Sequence, residues 1–244
     1  MIEVGNKIPN VTLKYLADDG LKEIATGDVL GKGKVVLFSV PGAYTPTCST
    51  QHLPGFVARA EEIRSKGVSD IVCLAVNDPF VMRAWGKEHG ADGKVTMLPD
   101  GNGEFTEKIG MLVDKSDLGF GKRSWRYSML VEDGVIQKMF IEPDKPGDPF
   151  EVSDADTMLK HINPKAKQPA EVTIFAKPGC PFCLGAKELL KEKGYDYEEI
   201  LLSGPISYKS LRNVTGKSTA PQIYIDGRHI DGLDGLKEFF QKNQ

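Results

Sequence analysis

Short apolar runs alternate along this chain with stretches whose apolar residues recur at helical spacing. Residues 35–40, Val-Val-Leu-Phe-Ser-Val, form an apolar run that ends in Pro41-Gly42. Such a run predicts a buried central strand passing into a loop. A second run at 71–76, Ile-Val-Cys-Leu-Ala-Val, is closed by Asn77-Asp78-Pro79. Between them Phe56 and Ile63 fit an amphipathic helix with Gly67 as its stop. A third strand is expected at 95–98, ended by Pro99-Asp-Gly-Asn-Gly103. Residues 128–132 and 135–141 flank Asp133-Gly134, a pair that tolerates the positive φ angles of a two-residue hairpin turn. Ser153, three residues ahead of Asp156, predicts a helix start, and the helix runs to about Ile162.

The pattern then stops and begins again. Residues 163–170 carry two prolines, two lysines and no large apolar side chain, which suits a semi-extended linker. Beyond it, strands are expected at 172–176, 195–202, 222–226 and around His229-Ile230, with a turn at Gly227. Helices are expected at 183–193, 207–213 and 233–242, the first with Ala186, Leu189 and Leu190 on one face and Gly194 as its cap. The order β-α-β-α-β-β-α describes a compact α/β domain. The division drawn from sequence is 1–164, a linker at 165–170, and 171–244.

Composition narrows the function. Of 244 residues, 40% are hydrophobic and 27% charged, the profile of a soluble globular protein. Basic and acidic residues number 31 and 34, with no like-charged block, so neither nucleic acid nor a membrane is expected as a partner. No basic and apolar leader pattern opens the chain and no run reaches about 18 apolar residues, which predicts a cytoplasmic location. In a reducing compartment the four cysteines, Cys48, Cys73, Cys180 and Cys183, are expected to be chemical rather than structural.

Cys180-Pro-Phe-Cys183 sits between an apolar strand and an amphipathic helix. Unpaired N–H groups and the helix dipole would stabilise a thiolate on Cys180, and Cys183 lies one turn further in, within reach of a disulfide. Half of a zinc site is the bland alternative; it lacks a second cysteine pair, and His161 and His229 stand alone, so no metal is expected. Cys48 also follows a strand and precedes a helix, with Thr45 three residues before it. Pattern alone leaves Cys48 open between a chemical thiol and a buried structural one. Cys73, in the middle of an apolar strand, reads as a buried hydrophobe.

Two resemblances bear on these choices. Phe175-Ala-Lys-Pro-Gly-Cys-Pro-Phe-Cys183, with Thr219-Ala-Pro-Gln-Ile-Tyr-Ile225, resembles a glutaredoxin across 171–244. It implies a thioredoxin-like fold, a cis bond before Pro221, and attack by Cys180 on glutathione mixed disulfides. It also implies that Lys177, Phe182, Ala220, Pro221, Gly232, Leu233 and Asp234 hold glutathione. In that scheme Lys177 meets a carboxylate and Asp234 the amino group; a surface lysine and a helix N-cap are the alternatives. Phe182 stands where many members have tyrosine, and Asp231 where a glycine often stands.

Pro41-Gly-Ala-Tyr-Thr-Pro-Thr-Cys48, with His52-Leu-Pro-Gly-Phe56 and Arg126-Tyr-Ser-Met129, resembles a peroxiredoxin of the class that includes mammalian peroxiredoxin five. It implies a second thioredoxin-like domain in which Cys48 attacks peroxide. Thr45 would donate to Cys48, Pro41 would shield the loop, and Arg126 would stabilise the thiolate and the developing oxyanion. Arg123 is a competitor for that last role, and His52 is expected to pack or cap. Together the resemblances imply a peroxiredoxin–glutaredoxin fusion of α/β class, with two mixed sheets flanked by helices. No cysteine lies between Cys73 and Cys180, so no resolving thiol is evident in the first domain. The implied activity is glutathione-dependent reduction of hydrogen peroxide and alkyl hydroperoxides, with glutathione as electron donor and no bound cofactor. A homo-oligomer, dimer or higher, is implied by the same likeness. The rivals are a peroxide sensor relaying oxidation to a client and an iron–sulfur carrier.

Overall fold

The computed structural model describes residues 1–145, 147–166, 170–203 and 205–242. The chain separates into two compact units, Met1–Ala166 and Lys167–Gln244. The middle of the expected linker, 167–169, lies outside the described residues.

The first unit opens with a hairpin, β1 (Thr12–Ala17) and β2 (Gly20–Ala25), then a short helix α1 (Thr26–Leu30) and β3 (Lys34–Ser39). After a loop comes a five-residue π-helical turn, Cys48–His52, continued by α2 (Leu53–Arg64). β4 (Val68–Ala75), α3 (Pro79–Glu88), β5 (Thr96–Pro99) and α4 (Glu104–Lys108) follow. A second small hairpin, β6 (Leu112–Asp114) with β7 (Lys122–Ser124), precedes β8 (Tyr127–Glu132), β9 (Val135–Ile141) and α5 (Ala155–Ile162). The main sheet has order β5-β4-β3-β8-β9, with β3, β4 and β5 parallel and β8 and β9 antiparallel. Its central strands are buried on both faces, which is why they read as near-continuous apolar runs. Asp133 and Gly134 take φ of 48° and 76°, the turn their sequence predicts.

The second unit comprises β10 (Val172–Ala176), α6 (Pro181–Glu192), β11 (Glu198–Leu201), α7 (Tyr208–Thr215), β12 (Gln222–Ile225), β13 (Arg228–Asp231) and α8 (Leu233–Lys242). The element order is the expected one. Its sheet, β11-β10-β12-β13, repeats the parallel and antiparallel pattern of β4-β3-β8-β9. Each unit therefore has the thioredoxin-like arrangement, and in each a cysteine, Cys48 or Cys180, follows the first strand of that four-strand core and opens the next helix.

Two local expectations are corrected. Asp154, not Ser153, caps α5, its carboxylate accepting Thr157 N–H at 2.9 Å. Ser153 is recruited elsewhere: its N–H and hydroxyl both donate to Glu142, at 2.8 and 2.7 Å. α6 begins at Pro181, two residues before the expected start, which makes Cys180 itself the N-cap. No described helix is long and apolar enough to cross a membrane.

Candidate functional site

Cys48 stands at the mouth of the loop that leaves β3. Its side chain is fully buried among Phe38, Val40, Leu53 and Phe56 of one core cluster. Leu53 N–H reaches Cys48 O, which closes the π-helical turn. Such turns recur at functional positions because the extra residue reorients side chains. Thr45 Oγ1 lies 2.8 Å from Cys48 Sγ and 2.8 Å from Gly42 O. A hydroxyl has one proton to give. With Cys48 as a thiol, S–H can donate to Thr45 while Thr45 donates to Gly42 O; with Cys48 as a thiolate, Thr45 turns its proton to sulfur. Pro41 is buried at the start of this loop, and Tyr44 sits at its exposed tip with φ of 64°.

Arg126, immediately before β8, is 2% exposed and faces Cys48. Burial opposes its charge, but the interactions with Cys48 and Asp148 outweigh burial and raise its pKa further. Its Nη2 donates to Asp148 Oδ1 and Oδ2 at 2.6 and 2.5 Å, and Nη1 meets His52 Nδ1 at 3.2 Å. Arg126 Nε is buried with no hydrogen-bond partner among the described residues. His52 does more than pack. Its Nε2 lies 3.1 Å from Ser153 O, a pure acceptor, so Nε2 carries the proton and Nδ1 accepts from Arg126. Burial, then the Arg126 charge, hold the His52 pKa well below its ordinary value. Arg123 is occupied differently: Nη1 donates to Val76 O at 2.7 Å and Nε to Phe120 O at 2.9 Å. It braces backbone rather than meeting Cys48.

Sequence reasoning missed two residues here. Asp148 is one. Glu142 is the other: its buried carboxylate accepts N–H from Glu151, Val152 and Ser153 at 2.8, 3.0 and 2.8 Å, besides the Ser153 hydroxyl. Burial raises the Glu142 pKa, but these four donors prevail and leave it lowered. Together they hold residues 147–153 against the Cys48 site. Nothing periodic marks such a segment; a buried acid at a strand end, nine to eleven residues ahead of its donors, is the signal.

Cys180 is built by local means. As N-cap of α6 it accepts Cys183 N–H at 3.2 Å. Burial raises its pKa, but hydrogen bonds from the Cys183 thiol and from the N–H groups of Cys183 and Phe182, with the charge of Lys177, lower it overall. Cys183 goes the other way, pushed up to about 11 by burial and by Cys180. The outer thiol is therefore the more acidic of the pair, and the inner one holds its proton at neutral pH. All four cysteines are free.

The peptide bond Ala220–Pro221 is cis, and Ala220 O lies 3.7 Å from Cys180 Sγ. A cleft of about 280 Å³ brings together Phe182, Ala220, Pro221, Gly232, Leu233 and Asp234, with Thr219, Gln222, Asp231 and Gly235. Lys177 is not among them; it lines an adjoining groove with Cys180, Cys183 and Lys187. Asp234 lies inside the first turn of α8 rather than at its cap. Asp231, at φ 75°, pairs with Lys217 Nζ at 3.1 Å, so its charge is partly met at the cleft edge. Among the described residues no group of three or more metal-ligating side chains occurs.

A buried cysteine with a hydroxyl and an arginine beside it, on a thioredoxin-like sheet, defines a thiol peroxidase of the peroxiredoxin class. The chain belongs to that family: the redoxin family matches residues 3–159, and the glutaredoxin family matches 172–230. It is 52% identical to the hybrid peroxiredoxin hyPrx5 of Haemophilus influenzae, over 97% of this chain and 98% of that one. The structure of reduced Prx3 from Vibrio vulnificus, in complex with H2O2, superposes with a TM-score of 0.63 at 41% identity, covering 66% of this chain and 99% of that one. The 1-Cys peroxiredoxin antioxidant protein of Plasmodium falciparum gives 0.63 at 32% identity over 67% of this chain and 100% of its own. The chain is an oxidoreductase, a peroxidase with a glutaredoxin domain joined to it.

Proposed function

We propose that this peroxidase draws its electrons from glutathione through its own glutaredoxin domain. Cys48 thiolate attacks one oxygen of ROOH; the O–O bond breaks, Cys48 becomes sulfenic acid, and RO⁻ leaves and is protonated to ROH. Thr45 orients the peroxide while Arg126 meets the charge growing on the departing oxygen. Glutathione then condenses with the sulfenic acid, forming Cys48-S-SG and water. Cys180 thiolate attacks the glutathione sulfur, which frees Cys48 thiolate and leaves Cys180-S-SG. A second glutathione releases glutathione disulfide and returns Cys180.

The observation that carries this reading is the distribution of thiols. Cys73, the other cysteine of the first unit, is fully buried in β4, and burial holds its pKa well above the ordinary value. It lacks the character of a resolving thiol, so an external thiol must serve. Glutathione suits the cleft beside Cys180: Phe182 offers an apolar face, Pro221 and Leu233 flank it, and Ala220 and Gly232 leave backbone accessible for the tripeptide. Asp234 would take its amino group and Lys177 a carboxylate. The superposed V. vulnificus protein holds H2O2, which supports hydrogen peroxide as a substrate here. A reducing cytoplasm would supply the glutathione, and a homo-oligomer is the expected assembly. Stopped-flow consumption of hydrogen peroxide and of an alkyl hydroperoxide, with glutathione as sole reductant, tests the scheme. Sustained turnover is expected; a single turnover followed by arrest would refute glutathione as donor.

A further inference from the structure

The donors of Arg126 are divided unequally. Nη2 gives both of its contacts to Asp148, Nη1 goes to His52, and Nε is buried with no hydrogen-bond partner among the described residues. Phe150 covers the guanidinium, with Cζ 5.5 Å from its ring centroid, and lies 4.9 Å from the His52 ring. Asp148 and Phe150 belong to the segment that Glu142 pins down. The Asp148 side chain is 42% exposed, against 2% for its partner, so it is an anionic arm reaching from solvent onto a buried cation.

We propose that Asp148 is a positioning residue for the peroxide step: it fixes the plane of Arg126 and, through the same contact, offsets part of the positive charge that Arg126 presents to Cys48. This rests on Cys48 as the attacking thiol. A carboxylate held on one guanidinium nitrogen restricts rotation of the fork, which leaves the Nε side for the reacting atoms. Its charge sits half in water and cancels only part of the arginine field. The other titratable and charged groups around the site do not compete. His52, on the π-helical turn, is neutral; Cys73, on β4, is a buried thiol; Glu142, just after β9, spends its carboxylate on Glu151, Val152 and Ser153; Arg123, on β7, is spent on Val76 O and Phe120 O. Asp148 is the anion that meets Arg126.

The two effects have opposite signs on two observables, which separates them from simple damage. The full chain carrying Cys180→Ser and Cys183→Ser leaves Cys48 as the thiol to be followed. In it, iodoacetamide alkylation is measured against pH, and single-turnover oxidation by hydrogen peroxide is measured on the high-pH plateau. With Asp148→Asn added, the alkylation midpoint should fall by about 0.5–1 pH unit, because the arginine charge is no longer offset. The plateau peroxide rate should fall about tenfold, because the fork loses its fixed plane. Asp148→Glu should bring both back toward the parent values. A midpoint that stays put or rises in Asp148→Asn overturns the proposal, since disorder of the Arg126 seat would raise the midpoint and slow the peroxide step together. Failure of Asp148→Glu to differ from Asp148→Asn overturns it as well. Adding Cys48→Ser tests the underlying reading separately: both signals must vanish, and a surviving peroxide rate would refute Cys48 itself rather than Asp148.

Discussion

The two thioredoxin-like units place a cysteine at the same topological point and activate it by different means. Cys180 is served by its own helix: the N–H groups of the first turn, the neighbouring thiol and a nearby lysine are all within three residues of it. Cys48 is served at long range. Thr45 is local, but Arg126 comes from the residue just before β8, and Asp148 and Phe150 come from the segment after β9. The difference suits the tasks proposed for the two thiols. A thiol that exchanges with soluble disulfides needs a depressed pKa and an open cleft. A thiol that splits a peroxide must also stabilise charge on a second, departing oxygen, and preorganised donors in a dry site do that best.

The strongest test of the contrast removes each sulfur in turn. Cys48→Ser should lower peroxidase activity by more than about 10⁴-fold, as loss of a nucleophile does, while reduction of a small glutathione mixed disulfide continues at the parent rate. Peroxidase activity surviving in this variant would collapse the distinction. Cys180→Ser should stop turnover driven by glutathione, yet leave turnover driven by a strong dithiol. Cys183→Ser should keep much of the glutathione-driven rate, because its thiol stays protonated well above neutral pH and is not needed for glutathionyl transfer. Equal inactivity of the two variants would replace that route with one through a Cys180–Cys183 disulfide.

Arg126→Ala comes next, at about 10²–10³-fold in the peroxide step, the usual cost of a lost oxyanion donor in a closed site. Arg123→Ala should cost only a few-fold, since its donors end on Val76 O and Phe120 O. Single-turnover peroxide kinetics distinguish the two; a reversed order would move the oxyanion role to Arg123. Glutaredoxin activity should be indifferent to both.

The same local-versus-distant contrast explains what was legible in the sequence. The buried strands and the Asp133-Gly134 hairpin are written in contiguous residues, and so is the whole second unit. Cys180 announces itself because its activators are its neighbours. Around Cys48, the loop motif and Arg126 could be named through family likeness, but Asp148 and Glu142 could not. Their partners lie 22 residues back and nine to eleven residues ahead, with no period to join them. Ser153 shows the cost: it and Asp154 are both competent caps, and the choice was made by Glu142, which claims the serine. β1 and β2 are hard to read because both are largely half-exposed and lack an apolar run, although Asp19-Gly20 marks the turn between them. α3 is hard to see in sequence because Asp78-Pro79 reads equally as a strand stop, whereas Asp78 is the N-cap, accepting Phe80 and Val81 N–H.

The smallest expected effect is also the one that isolates long-range support. Glu142 is 2% exposed and takes four hydrogen bonds, three from backbone N–H groups. Glu142→Gln keeps the shape but replaces one acceptor oxygen with a donor that faces N–H groups, so about 2–3 kcal/mol of stability should be lost at neutral pH. The Glu142 pKa is lower in the folded chain than in the unfolded one. Its contribution is therefore fully present above the unfolded carboxylate value of about 4.3 and fades as pH falls through the folded value. The gap between parent and variant, measured by urea unfolding of the first unit's transition, should be widest at pH 7 and narrow toward pH 3. Because residues 147–153 then loosen, peroxide oxidation of Cys48 should slow a few-fold while mixed-disulfide reduction at Cys180 is unchanged. A stability gap that does not depend on pH would mean that Glu142 acts by packing rather than as a charged acceptor. Equal slowing at both thiols would mean that the segment does not support Cys48 in particular.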